Sequence, residues 1–175
     1  MSIAETAFLI RLVRPDEYEA LGDLTVAAYQ TIPIFTPEQE AYNVQLRDVE
    51  RRATTSCVLV ATTPAGELLG GVTYVSGPED PYSEELREGE AGIRMLAVDP
   101  AQRGRGIGRA LTQACLDRAA SDGRRRLVLH TGTWMPAAIR LYDRMGFVRR
   151  PELDFTVVPG VDLIAYAYEL TGDAE

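Results

Sequence analysis

Residues 93–116 constrain the fold more than any other part of the sequence. Residues 93–98 form a short apolar run interrupted by Arg94, which is typical of a buried strand. Asp99 and Pro100 end that strand, because proline cannot donate to the ladder of a sheet. Three glycines at alternate positions follow in residues 103–108, and apolar residues then recur at helical spacing. The sequence therefore predicts a strand, a glycine-rich turn and a helix, in that order.

This order of elements can build a binding site for an anion. The first turn of a helix leaves N–H groups unpaired, and the helix dipole places partial positive charge there. Glycines accept unusual dihedral angles and let a ligand approach the backbone closely. The turn is therefore predicted to bind a phosphate or pyrophosphate through its backbone, with Arg103, Arg105 and Arg109 adding positive charge around it.

Two common nucleotide-binding motifs do not match the turn. A dinucleotide fingerprint counted from Gly104 would need a third glycine where Arg109 stands. A P-loop needs a lysine, and the chain contains none. The turn instead resembles the acetyl-CoA-binding motif of the GNAT superfamily of N-acetyltransferases, [RQ]-x-x-G-x-[GA], which Arg103, Gly106 and Gly108 match.

Length and composition indicate an ordinary globular protein. At 175 residues, with 46% hydrophobic and 25% charged residues, we expect a single domain over residues 1–175 with a core from about 8 to 170. The formal net charge of −8 argues against a nucleic-acid partner. Residues Cys57 and Cys115 lie in apolar segments and are predicted to be core residues, with no metal site. No leader pattern or long apolar run is present, so we expect a cytoplasmic protein with no membrane partner.

Strands and helices alternate along the chain, but a hairpin over residues 57–75 comes before the central strand. That order predicts a mixed sheet with helices on both faces. Two early helices are predicted, one capped by Asp16 and one running from Thr36 and Pro37 to about residue 51. The acidic residues 77–89 are predicted to form a solvated loop. The resemblance implies an α/β fold with a mostly antiparallel central sheet of six to seven strands.

Residues 138–147 resemble a second segment of the same family, A-[AI]-x-x-L-Y-x-x-x-G-F. Its tyrosine, here Tyr142, is commonly the acid that protonates the departing thiolate of CoA. A phenol with a pKa near 10 can perform that step. A core role is the alternative, because Ile139, Tyr142 and Met145 share one helix face. The family's usual asparagine in the preceding loop, a contact to pantetheine, is replaced by Met135.

The resemblance also implies positions for the other catalytic groups and for acetyl-CoA. A backbone N–H of Leu96 or Val98 is expected to hold the oxyanion. The general base is expected to be Glu90, although Glu90 can equally belong to the acidic loop, a water chain can replace it, and His130 is a further candidate for a base or a structural residue. The predicted acetyl-CoA contacts are Leu96, Ala97, Val98, Arg103, Gly104, Arg105, Gly106, Ile107, Gly108, Arg109 and Tyr142.

The expected activity is transfer of an acetyl group from acetyl-CoA to a primary amine by direct attack in a ternary complex, with no metal. A CoA-binding sensor without catalysis, or a protein N-terminal or lysine acetyltransferase, is the alternative. The acidic net charge predicts a small cationic acceptor. We expect it to enter over the first two helices and the connector of residues 31–37, beside the acidic loop, in a monomer or homodimer. Acidic candidates for this entrance are Asp16, Glu17, Glu38 and Glu40, and aromatic candidates are Phe35, Tyr42 and Trp134.

Overall fold

A computed structural model of the chain describes residues 7–30 and 37–170. Eight strands form one sheet, and five α-helices pack on it. The strands are β1 (Leu9–Leu12), β2 (Cys57–Thr62), β3 (Leu68–Val75), β4 (Glu90–Val98), β5 (Arg126–Gly132), β6 (Val148–Arg149), β7 (Phe155–Val158) and β8 (Val161–Glu169). The helices are α1 (Tyr18–Tyr29), α2 (Pro37–Arg47), α3 (Val49–Thr55), α4 (Ile107–Ser121) and α5 (Pro136–Met145).

The sheet is mixed and mostly antiparallel, as predicted. Its strand order is β1-β2-β3-β4-β5-β8-β6, and β7 pairs with β8 beside β6. Within the described chain, β4 and β5 form the one parallel pair. The described strands number eight rather than six to seven, because the two short segments β6 and β7 both pair with β8.

Helices cover both faces of the sheet, which confirms the predicted layers. On β2, Leu59 belongs to a buried cluster that also contains Leu111 of α4 and Tyr142 of α5. The next residue, Val60, belongs to a second cluster with Leu21 of α1. Because successive side chains of a strand point to opposite faces, α4 and α5 cover one face, and α1 and α3 cover the other.

The first helices differ in detail from the prediction. The predicted single helix over residues 37–51 is two helices, because the chain turns at Asp48, whose carboxylate accepts a hydrogen bond from the Arg51 N–H at 3.2 Å and caps α3. Asp16 lies in a 3₁₀ turn before α1 and does not cap the helix. No side chain caps α1, and Glu17 accepts a hydrogen bond from the Arg14 N–H at 2.8 Å within the 3₁₀ turn. The predicted cap Thr36 lies outside the described residues.

The acidic segment before β4 is anchored to the protein, and the prediction of a solvated loop was wrong in this respect. Asp80 is buried and accepts hydrogen bonds from the Ser56 hydroxyl at 2.7 Å and from the Tyr82 N–H at 2.9 Å. These bonds fix residues 77–89 against the face that carries α1 and α3. The strand β4 also begins at Glu90, three residues before the predicted start.

Candidate active site

Strands β4 and β5 are paired only at one end. Their parallel register runs from Glu90 opposite Arg126 to Gly92 opposite Val128 and then stops. Strand β5 stays paired with β8 as far as Gly132, so it is β4 and β5 that separate. The β5-facing edge of residues 93–98 therefore has no strand partner in the described chain. The separation opens a gap in the middle of the sheet.

A β-bulge lies in β4 at this separation. Thr73 of β3 faces Arg94, and Gly71 faces Ala97, so two residues of β4 lie opposite one residue of β3. Met95 adopts a φ of 52°, which is uncommon for a residue with a side chain. Arg94 and Met95 consequently both point to the α1 and α2 face, whereas Leu96 packs with the cluster under α4 and α5. The bulge therefore turns the side chains of Leu96 and Val98 toward α4 and α5.

The glycine-rich turn is open on its outer side. Gly104 and Gly106 adopt φ values of 79° and 80°, and a Cβ atom added to either would meet no atom within 4 Å. Gly106 is the N-cap of α4 and accepts the first helical hydrogen bond, from the Ala110 N–H at 3.0 Å. The N–H groups of Ile107, Gly108 and Arg109 thus have no acceptor within the helix, and no side chain caps them. This cradle fits the pyrophosphate of CoA.

Basic side chains surround the turn. Arg103 and Arg109 are exposed, and Arg105 is half-buried. Arg103 lies 3.5 Å from the Ala28 carbonyl oxygen of α1, and Arg105 donates a hydrogen bond to the Gln102 side chain. The three guanidinium groups add positive charge where the unpaired N–H groups and the helix dipole already favour an anion.

Tyr142 lies on the buried face of α5. Its side chain is 5% exposed, and its ring packs against the rings of Phe147 and Tyr166, with centroids 5.6 and 6.3 Å away. Its hydroxyl makes no hydrogen bond with a described residue. Burial, with a smaller effect from Cys115, raises the pKa of Tyr142 well above its ordinary value. The phenol therefore keeps its proton at neutral pH, as a general acid requires.

The helix that carries Tyr142 lies beside the glycine-rich turn. The preceding residue, Leu141, lies near Gly108, because a Cβ atom added to Gly108 would be 3.5 Å from the Leu141 side chain and 3.7 Å from Val98. The end of β4, the start of α4 and the helix α5 therefore meet at one place. The predicted acetyl-CoA contacts at 96–98 and 103–109 are brought together there with α5.

Glu90 and His130 are both held by other groups. The Glu90 side chain is 2% exposed and accepts hydrogen bonds from the Arg126 guanidinium at 2.9 Å and from the Arg87 N–H at 3.0 Å. It lies at the paired end of β4. The His130 Nε2 atom is 2.9 Å from the Leu153 carbonyl oxygen. The role of each as a general base stays a prediction.

A shallow crevice lies between β4 and β5 on the face that carries α1 and α2, and it opens to solvent. Arg94 lines this crevice. Its guanidinium pairs with Glu84 at 2.8 Å and donates a hydrogen bond to the Tyr82 carbonyl at 3.1 Å. Sequence reasoning missed both of these partners. The available signal was a charged residue inside an apolar strand. The lining residues are Val75, Tyr82, Glu84, Leu86, Gly92, Ile93, Arg94, Val128 and His130.

The predicted aromatic lining is partly placed near this crevice. Tyr42 packs edge-on against Tyr29, with ring centroids 6.0 Å apart, in a cluster that includes Met95 and Tyr82. Trp134 lies over Gly132 at the end of β5 and does not line the crevice. Phe35 and the side chain of Glu38 lie outside the described residues. Among the predicted acidic residues, Glu17 pairs with Arg11, and Glu40 is exposed.

None of the helices in residues 7–30 and 37–170 has both the length and the apolar character needed to cross a membrane. No group of three or more histidine, cysteine or acidic side chains in the same ranges is placed to hold a metal ion.

Comparison with known proteins agrees with this geometry. A model of the acetyltransferase (GNAT) family matches residues 18–147. A mycothiol acetyltransferase from Salinispora tropica is 36% identical over 117 residues, which are 65% of this chain and 36% of that protein. The chain therefore spans little more than a third of the length of that relative.

Solved structures share the fold. A GNAT-family acetyltransferase from Staphylococcus aureus Mu50 superposes with a TM-score of 0.71 at 16% identity, over 94% of this chain and 100% of that one. The structure of yncA from Salmonella typhimurium, solved with its cofactor acetyl-CoA, gives a TM-score of 0.69 at 22% identity, over 97% of both chains. Because the family model spans most of the sequence, the chain belongs to the acetyltransferase (GNAT) family of acetyl-CoA-dependent acyltransferases.

Proposed function

We propose that this chain transfers the acetyl group of acetyl-CoA to the primary amine of a small molecule, by direct attack in a ternary complex. One observation carries the proposal. The open turn at the N-terminus of α4 lies next to the gap between β4 and β5, and the buried phenol of Tyr142 belongs to the helix beside both. An anion site, an unpaired strand edge and a proton donor are the parts that the reaction needs.

The backbone supplies the binding groups for the acyl donor. Acetyl-CoA, when bound, supplies the thioester that is consumed. The unpaired N–H groups of Ile107, Gly108 and Arg109 are proposed to receive its pyrophosphate, with the neighbouring guanidinium groups neutralising charge. A backbone N–H of Leu96 or Val98, on the edge without a β5 partner, is proposed to stabilise the oxyanion. One such donor typically contributes about 2.7–4 kcal/mol.

Two proton transfers complete the proposed reaction. Tyr142 donates its proton to the departing sulfur. Because burial raises the pKa of Tyr142, the phenol stays protonated at neutral pH. Removal of a proton from the acceptor ammonium is assigned to a water chain, with Glu90 as the alternative. The ion pair between Glu90 and Arg126 favours a structural role for this carboxylate, so the assignment needs its own test.

A small-molecule acceptor is proposed because the relative from Salinispora tropica is a mycothiol acetyltransferase. The cationic acceptor predicted from the net charge stays a prediction. Two of the acidic residues expected to attract it, Glu17 and Glu84, are already paired with arginines.

The test is turnover of acetyl-CoA with a panel of primary amines, followed by CoA release and by the mass of the acetylated product. We expect turnover with at least one class of small amine. Initial rates measured while both substrates are varied should give intersecting lines, because both must be bound before transfer. Acetyl-CoA binding without turnover of any amine would favour the non-catalytic CoA-binding alternative. Parallel lines would contradict direct attack.

A further inference from the structure

We propose that Arg94 binds a carboxylate group of the acceptor, so that the preferred substrate is a zwitterionic amine of the amino-acid type. The inference rests on the function proposed above and specifies the substrate class of the same site.

Arg94 occupies the position on β4 from which an acceptor can be oriented. It directly precedes the bulge at Met95 and points into the crevice, on the face opposite α4 and α5. The segment that follows it is the strand edge without a β5 partner. In an α-amino acid a single carbon separates the amine from the carboxylate. A carboxylate held by Arg94 therefore keeps the amine close to the open part of β4.

The guanidinium group has donors to spare. Its Nη1 atom donates to the Tyr82 carbonyl at 3.1 Å, and its Nη2 atom pairs with Glu84 at 2.8 Å. A guanidinium carries five N–H donors in a planar fork that matches a carboxylate in two parallel hydrogen bonds. The Arg94 side chain is only 20% exposed, so a bond made there is shielded from water more than a surface ion pair is.

Glu84 is the less firmly held member of the pair. It lies on the loop before β4, and its side chain is 47% exposed, against 20% for Arg94. A carboxylate from the acceptor can take its place on the guanidinium while Glu84 turns to solvent. The resident carboxylate shows that the site accepts this chemical group in this geometry.

A second buried cation, Arg52, lies near the tyrosines of this region. Arg52 of α3 is 1% exposed, its Nη1 atom donates to the Gln45 and Leu46 carbonyls, and its Nε atom has no partner in the described chain. Burial lowers the pKa of Arg52, with opposing effects from the tyrosines beside the crevice and from Asp48. Asp48 is exposed at the cap of α3.

Aromatic rings provide a wall for the rest of the acceptor. Tyr29 and Tyr42 pack edge-on and share a cluster with Met95 and Tyr82. Burial raises the pKa of both Tyr29 and Tyr42, and Arg94 opposes the rise at each. Both phenols are therefore neutral at neutral pH, and their rings can contact an apolar or polarizable side chain.

The first experiment compares amines that differ only in the carboxylate. A set of amino acids is assayed, each beside its own carboxamide, which keeps the size of the group and removes the charge. We expect kcat/KM to be at least tenfold higher for the preferred amino acid than for its amide, equivalent to about 1.4 kcal/mol. The lower amine pKa of the amide works against this preference, so a difference in the expected direction cannot come from amine basicity.

Substitutions in the Arg94–Glu84 ion pair test whether it causes the preference for the amino acid over its amide. Arg94→Gln should abolish the tenfold difference between acid and amide while retaining turnover of the amide. Glu84→Gln should lower KM for the amino acid, because the competing carboxylate is gone, whereas an ammonium-binding role for Glu84 would raise KM. Arg47→Gln is the matched control, since Arg47 is half exposed and lies 3.7 Å from Asp23 on α1. It should leave the preference unchanged.

The outcomes separate this inference from the proposed function. If no amine is turned over, the proposed function fails. If amides or polyamines are turned over as well as amino acids, the function stands and the role of Arg94 is overturned. An unchanged preference in folded Arg94→Gln would also overturn it. If Arg94→Gln does not fold, the acid-to-amide ratio of the unmodified chain and the sign of the KM change in Glu84→Gln decide.

Discussion

Replacement of Tyr142 by phenylalanine removes the proposed proton donor while keeping the packing of the ring. The ring contacts with Phe147 and Tyr166 are retained, and the hydroxyl makes no hydrogen bond with a described residue. Removing it therefore breaks no hydrogen bond recorded in the structure, and we expect the free energy of unfolding to change by less than about 1 kcal/mol.

The expected kinetic effect is much larger than the effect on stability. General acids typically contribute about 10²- to 10⁴-fold to a rate. The lower limit corresponds to about 2.7 kcal/mol in the activation free energy. We therefore expect kcat to fall at least ~10²-fold in Tyr142→Phe, with little change in the calorimetric affinity for acetyl-CoA. The assay is thiol release under saturating substrates, with a burst measurement to show that chemistry is rate-limiting.

Two comparisons make the result specific to proton donation. Tyr166→Phe removes a hydroxyl from the same aromatic cluster and should leave kcat within about threefold, since its ring contact with Tyr142 is kept. An acyl donor whose thiol is a stronger acid needs less protonation, so the deficit of Tyr142→Phe should shrink with it. Unchanged kcat in Tyr142→Phe, with chemistry rate-limiting, would refute the role of the phenol.

Three further outcomes are expected. Glu90→Gln should lower the melting temperature, because Arg126 loses its buried partner, and should leave kcat nearly unchanged. A fall of ~10²-fold in kcat at an unchanged melting temperature would instead establish Glu90 as the general base. Arg52→Met should reduce the free energy of unfolding in urea by about 1–3 kcal/mol, because two carbonyls of α2 lose their donor, and an unchanged midpoint would contradict this. Burial raises the pKa of Tyr142 and of Tyr74, so the folded chain holds these protons more tightly than the unfolded chain does. The stability that they contribute should be intact below about pH 10 and lost as pH rises further, and a urea midpoint that stays constant between about pH 8 and 11 would contradict the assignment.

Local spacing was enough to predict the elements that carry the acyl-donor site. The apolar run, the alternate glycines and the helical period of residues 93–116 are all contained in one segment, and the structure has β4, the open turn and α4 there. The assignment of helices to both faces of the sheet was confirmed for the same reason. Alternation within strands and periodicity within helices are local properties, and the sequence shows them directly.

Features that depend on residues far apart in the sequence could not be predicted from the spacing of residues within one segment. The left-handed backbone of Met95 has no glycine to signal it, and its side chain packs against Val26 and Leu46 of the first two helices. The burial of Asp80 depends on a hydrogen bond from Ser56, 24 residues earlier. Each of these contacts exists only after the sheet and the helices have come together.

The pairing of Arg94 with Glu84 could likewise not be predicted. The sequence showed a charged residue inside an apolar run, and the acidic loop ten residues earlier was interpreted as solvated. The structure brings the two together at 2.8 Å in a crevice beside the bulge. The net charge of the chain, which led to the prediction of a cationic acceptor, carries no information about this local arrangement.

Calorimetric titration of CoA tests most directly whether the turn at the N-terminus of α4 binds the acyl donor. Gly106→Val places a side chain in the open cradle, and Gly66→Val is the matched control, because Gly66 has a φ of 93°, equally open surroundings and a position in the turn between β2 and β3. We expect Gly106→Val to weaken CoA binding at least tenfold, equivalent to about 1.4 kcal/mol, and Gly66→Val to leave it unchanged. Unchanged CoA affinity in folded Gly106→Val, or equal losses in both variants, would show that this turn does not bind CoA.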